Sequence, residues 1–162
     1  MYGAATPGGA FCLPPCPRFP HGEHMHPIDW NESLHIGVAT IDEQHGRLTD
    51  TINALLLAYM QGQEREVLAG IINELHDYAH THFATEESLM RRFDGQYSEL
   101  TIHLQQHTMF FTRIVDFLLE YVGDPQGELT PEVLDFLTDW WKTHVTGIDA
   151  RFGKFLNQQG IQ

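Results

Sequence analysis

Basic residues are scarce in this chain: 9 Lys+Arg stand against 22 Asp+Glu in 162 residues, a formal charge of −13. Such a balance repels phosphate backbones and anionic lipid surfaces, which argues against nucleic acid as a partner. Cysteine is scarcer still. The two cysteines, Cys12 and Cys16, both fall near the N-terminus, so no disulfide framework supports the rest of the chain. No apolar run approaches the roughly 20 residues that a bilayer span needs. A Gly-rich phosphate loop, a Ser or Cys nucleophile arrangement and a segment with strand alternation are likewise missing. With 42% hydrophobic and 19% charged residues, the composition fits one soluble globular domain whose core is held by packing or by metal.

Residues 1–27, MYGAATPGGAFCLPPCPRFPHGEHMHP, are crowded with Pro and Gly and carry no apolar period, which predicts an irregular leader. A charged n-region and an apolar h-region of the secretory type are not seen there, so the expected location is cytoplasmic. Cys12 and Cys16 followed by His21, His24 and His26 form a zinc-compatible donor set. The plainer reading is a tail, with Met25 as an alternative start just ahead of the folded part.

From residue 28 the periodicity becomes helical, and four segments emerge. The first begins at Thr40, with Glu43 completing a capping box, and carries Ile41, His45, Leu48, Ile52, Leu55 and Tyr59 at alternating four and three steps before Gly62. The second spans about residues 63–92, with Ile71 or Ile72, Leu75, Ala79, His82, Glu86 and Leu89 inward, and Phe93-Asp94-Gly95 as its stop. After Tyr97-Ser98 comes the third, with His103, His107, Phe110, Ile114, Phe117 and Tyr121 on one side, ending in the turn GDPQG at 123–127. The fourth opens at Thr130-Pro131 and runs to about Asn157, facing Val133, Leu137, Trp140, His144, Ile148 and Phe152 inward. Four helices of this length, joined by short turns, bury four apolar stripes only by lying side by side. The expected fold is all-α, an up-down-up-down four-helix bundle over residues 28–162.

The apolar lines are interrupted by His45, His82, Glu86, His103, His107 and His144. One core histidine is ordinarily a satisfied packing residue. Five with a carboxylate are not: each unsatisfied polar group costs on the order of several kcal/mol, against a total stability of about 5–15 kcal/mol. A bound metal centre resolves the conflict. His82 and Glu86 are one helical turn apart, as are His103 and His107, so each pair projects side by side toward neighbouring coordination positions.

The rival pair His76 and His80 lies to one side of the inward stripe and reads as surface or rim. Glu87, five residues after His82, is set aside on the same ground, and His35 reads as a loop contact. Asp149 follows His144 by five residues and would turn about 140° away on a regular α-helix. With Gly147 between them, a π-bulge is predicted that brings the aspartate back beside the histidine.

His45 within IDEQH (41–45), HFATEE (82–87), HLQQH (103–107) and HVTGID (144–149), preceded by Trp30 and Gly37, resemble the bacterial hemerythrins, non-haem di-iron oxygen carriers. The likeness covers about residues 28–157. One departure is Ser98, where the family usually has proline, which bears on how the third helix starts. The resemblance implies a di-iron centre in the bundle core, with His103, His107 and His144 on one iron, His45 and His82 on the other, and Glu86 and Asp149 as bridges. Given one further oxo or hydroxo bridge, the first iron has six ligands and the second five, leaving one position for O2.

Two carboxylates against five neutral imidazoles favour reversible binding over oxidation. The wall of the open position should be apolar, with Leu48, Phe83, Trp140, Trp141 and Val145 as its candidates. The expected function is O2 carriage, storage or delivery, with an oxygen-consuming enzyme as a possible recipient and no enzymatic activity. The alternatives are a di-iron oxidase, peroxidase or nitric-oxide-reducing enzyme, and an oxygen sensor acting through a partner.

Overall fold

A computed structural model describes residues 26–123 and 131–162, without the side chains of 64–69 and 121. The leader's Cys12, Cys16, His21 and His24, the turn at 124–127, the Thr130 cap and the Tyr121 side chain lie outside the described residues. The structure is all-helical: a short 3-10 turn at Glu32–Leu34, then α1 (Ala39–Met60), α2 (Glu64–Arg92), α3 (Leu100–Gly123), α4 (Pro131–Thr143), a π-helical turn at His144–Asp149, and α5 (Ala150–Gln158). Backbone angles stay in the right-handed helical region at Thr143, Asp149 and Ala150. α4, the π turn and α5 therefore form one continuous fourth rod. α1 packs on α2 and on α4, and α2 packs on α3, giving the four-helix bundle. None of the described helices is long and apolar enough to cross a membrane.

The start of α1 differs from the expected capping box. No side chain caps it at Val38. Asp42, inside the first turn, instead accepts the Ile36 N–H at 2.7 Å and the Gly37 N–H at 3.1 Å. A carboxylate is the stronger acceptor and is favoured at the positive end of a helix, so it takes the role expected of Thr40, while Glu43 pairs with Arg47. Gly37 has φ +78°, a left-handed backbone that glycine adopts without strain. At the other end of α2, Phe93 and Gly95, the latter at φ +72°, close the chain toward Tyr97 as the stop signal predicts.

Apolar side chains gather in two clusters. One contains Leu48, Leu55, Leu75, Phe83, Phe110 and Leu134; the other contains Ile36, Ile41, Met90, Tyr97, Phe152 and Leu156. On every rod the predicted donors fall between them: His45 between Ile41 and Leu48, His82 and Glu86 between Ala79 and Met90, and His144 and Asp149 between Trp141 and Phe152. His103 and His107 lie between Leu100 and Phe110. The donors thus occupy a polar layer sealed by apolar packing on both sides. Each fully buried leucine in these layers stabilises the fold by about 1.5–3 kcal/mol.

Three inward expectations shift by one residue. Tyr59 is half-buried and Ala58 is buried in its place. Leu89 is half-buried and Met90 takes the core position. Ile148 is half-buried too, because the extra residue of the π turn hands its inward position to Asp149.

Candidate metal centre

All seven predicted donors are buried: His45, His103, Glu86 and Asp149 are fully enclosed, and His82, His107 and His144 nearly so. The helical pitch brings each side chain to the middle of the bundle, and the π turn is what returns Asp149 to the face of His144. The expected distortion is present, spanning the whole stretch His144–Asp149.

The donors divide into two groups whose ligand atoms converge: Glu86, His103, His107 and His144 in one, and His45, His82 and Asp149 in the other. Ring centroids within the first are 4.6 Å (His103–His107), 5.2 Å (His103–His144) and 5.3 Å (His107–His144) apart, and His45 and His82 stand at 4.7 Å. Both carboxylates touch both groups. Asp149 places Oδ1 3.1 Å from His144 Nε2 and 3.2 Å from His103 Nε2, while its Oδ2 is 3.1 Å from His45 Nε2. Glu86 Oε2 is 3.1 Å from His107 Nε2, 3.2 Å from His103 Nε2 and 3.7 Å from His82 Nε2. Every one of the five imidazoles therefore turns Nε2 inward.

These short separations are mostly not hydrogen bonds. The Nε2 atoms of His45, His107 and His144, Glu86 Oε1 and both Asp149 oxygens are buried without a hydrogen-bond partner among the described residues. Buried polar atoms are normally paired, so lone pairs that crowd together without pairing point to a shared cation. Adjacent donors each about 2.1 Å from one transition-metal ion, at right angles, would stand about 3.0 Å apart, close to the separations found here. Nitrogen and oxygen donors in this mixture suit divalent first-row metals. The donor set fits a pair of metal ions.

Electrostatics tell the same story. Burial and the neighbouring Asp149 push the Glu86 carboxyl up, but His82, His103 and His107 outweigh them and hold it at about 2. Asp149 is buried as well, yet His144, His103 and His45 hold it well below the usual carboxylate range. Both carboxylates thus stay charged in a dry interior. Burial drives His82 down to about 4 and lowers His107. Burial also opposes the charge on His103, but the Asp149 and Glu86 carboxylates beside its Nε2 prevail and raise it to about 9. Two enclosed negative charges require positive charge beside them, which protons supply only in part.

Residues 36–156 match the family described as "Hemerythrin HHE cation binding domain". The chain belongs to that family. It is 34% identical over 129 residues to a bacteriohemerythrin of Pseudomonas paraeruginosa, covering 79% of this chain and 80% of that one. A bacteriohemerythrin of Clostridium acetobutylicum is 27% identical over 126 residues, covering 76% of this chain and 96% of the relative. A hemerythrin-like protein of Naegleria gruberi is 29% identical over 127 residues, covering 78% and 91%.

Around this hemerythrin-type cluster, the five apolar wall candidates Leu48, Phe83, Trp140, Trp141 and Val145 are all buried in one core cluster. Phe83 stacks on His107 at 3.8 Å and Trp140 on His144 at 4.3 Å, so both lie against the three-histidine group. Trp141 reaches the other group indirectly, edge-on to Trp30 at 5.8 Å, which is in turn edge-on to His45 at 5.9 Å. His76 and His80 are exposed and His35 lies against Trp30, outside both donor groups.

Periodicity missed the groups behind the imidazoles. Gln44 Oε1 lies 3.4 Å from His82 Nδ1, and the Tyr97 hydroxyl 3.4 Å from His103 Nδ1. Glu87, set aside as an inward donor, stands on the outer side of the site, Oε1 3.6 Å from His107 Nδ1. Gln44 is one residue before His45 and so on the flank of the inward stripe; a search for polar residues flanking the donors would have found it.

Proposed function

We propose that this protein binds O2 reversibly at a non-haem di-iron centre and serves to carry, store or deliver it, without turning over a substrate. The observation that carries this reading is the unequal division of the imidazoles, three in one converging group and two in the other, with Asp149 offering one oxygen to each. His103, His107 and His144 would hold one iron, His45 and His82 the second, and Glu86 and Asp149 both.

The iron pair, with a shared oxo or hydroxo bridge, would supply the electrons and the metal site that O2 requires. The chain's own residues do the rest. Five imidazoles, neutral when they ligate, and only two carboxylates would stabilise highly oxidised iron less than a carboxylate-rich set does, which favours reversible binding over oxidation. Phe83, Trp140 and the surrounding leucines exclude water, which keeps the enclosed charges strong and would limit escape of reduced oxygen to solvent. An oxygen-consuming enzyme is the class of recipient that such delivery would serve.

The test is to load the protein with Fe(II) without air, admit O2, and purge it again. Absorption that appears with O2 and disappears on purging, through repeated cycles, supports carriage. Steady O2 consumption with an added reductant would instead support a di-iron enzyme.

A further inference from the structure

The side chains behind His82 form a chain of hydrogen bonds whose direction can be worked out from its far end. The Thr81 carbonyl can only accept, and Thr85 Oγ1 lies 3.0 Å from it, so the Thr85 hydroxyl proton is committed there. The remaining lone pairs of Thr85 Oγ1 can then only accept. Gln44 contacts that oxygen at 3.0 Å, which requires its amide nitrogen to be the atom facing Thr85. The Gln44 carbonyl oxygen is thereby turned toward His82 Nδ1, 3.4 Å away, and an acceptor there calls for a proton on Nδ1. His82 Nε2 is left with its lone pair facing inward, on the side of Glu86.

We propose that Gln44 and Thr85 are positioning residues that fix His82 as its Nδ1–H tautomer and aim Nε2 into the centre. The partners of the other ligands differ. Tyr97 backs His103 with a hydroxyl that can donate or accept, and the outer nitrogens of His45 and His144 have no hydrogen-bond partner among the described residues. At His107 the Glu87 carboxylate stands 3.6 Å from Nδ1, beyond hydrogen-bond distance, whereas at His82 a chain ending on a backbone carbonyl dictates which nitrogen carries the proton. The relay links α1 to α2 across their interface, so it also ties the orientation of this imidazole to the register of two helices. Its bearing on metal binding rests on the function proposed above; the tautomer itself does not.

The test follows the His82 imidazole protons by proton–nitrogen correlation in the full-length chain, both metal-free and loaded with Zn(II) as a diamagnetic probe. Either state suffices to detect a slowly exchanging Nδ1–H, which is the expected result. Thr85→Val, which keeps the shape but removes the hydroxyl, should speed exchange of that proton and weaken Zn(II) binding about 10-fold. Thr85→Ser should restore both to the parent level. Gln44→Leu, which removes the acceptor at similar volume, gives the same losses by an independent route, with helical circular dichroism as the control for folding. Finding the proton on Nε2 of His82 in the metal-free chain would overturn the relay, as would unchanged exchange and affinity in both variants. Failure of the iron-loaded protein to bind O2, with the Nδ1–H signal intact, would overturn the proposed function and leave the relay standing.

Discussion

Asp149 Oδ1 lies 3.1 Å from His144 Nε2 although five residues separate them, a spacing at which a regular α-helix would hold them about 140° apart. The π turn from His144 to Asp149 closes that gap by holding one residue more than an α-helical turn would need.

Deleting Thr146, which is exposed, would place the two donors four residues apart on an ordinary helix and keep the downstream register. The shortened chain should still take up two metal ions. Inserting an alanine after Thr146 should instead swing the aspartate off the face and lower metal content to about one ion or less, as first-row sites lose affinity when a donor is removed. Elemental analysis of both variants decides it. Loss of metal in the deletion as complete as in the insertion would show that facing alone is not what the turn provides.

Gly153 is a packing requirement of the fourth rod. A Cβ placed there would meet the Ile36 carbonyl oxygen at 2.5 Å and the Ile36 Cβ at 2.7 Å, and Asn157 donates to the same carbonyl at 3.2 Å. Gly153→Ala should therefore destabilise the protein by about 1–3 kcal/mol while leaving every donor in place. Urea unfolding monitored by circular dichroism checks this, and an unchanged midpoint would contradict the close packing.

The metal-free protein should lose stability on acidification. His82 is held at about 4 and Glu86 at about 2, both below their ordinary values. A depressed group contributes stability that is present above its unfolded value and lost as pH falls through its folded one. The His82 contribution therefore fades from 6.5 toward about 4, and that of Glu86 from 4.5 toward about 2. His103, raised to about 9, contributes fully below 6.5 and does not offset the loss. The urea midpoint should fall steadily from pH 6.5 downward; a constant midpoint to pH 4 would contradict the assignment.

Much of this was legible in the sequence, for a physical reason. Helical period and metal spacing are both local: His82 and Glu86, or His103 and His107, reveal their common face within one turn, and the break in apolar lines marks the depth at which they sit. Even the distortion at Gly147 could be anticipated, because Asp149 was out of phase with an otherwise consistent set. What periodicity could not supply were contacts made across elements. Asp42 capping the amides of Ile36 and Gly37, and Gln44 reaching Thr85 on the next helix, depend on how segments meet rather than on their own pattern. The exchange of Leu89 for Met90 and of Ile148 for Asp149 at the core follows from small local changes in helical phase.

The central claim is that these seven side chains hold two iron ions, and it is tested most directly by counting metal in protein purified from its native host. The account predicts two irons per chain, falling to about one or less when Asp149 is replaced by alanine. A fully folded protein containing a single ion, or none, would contradict it.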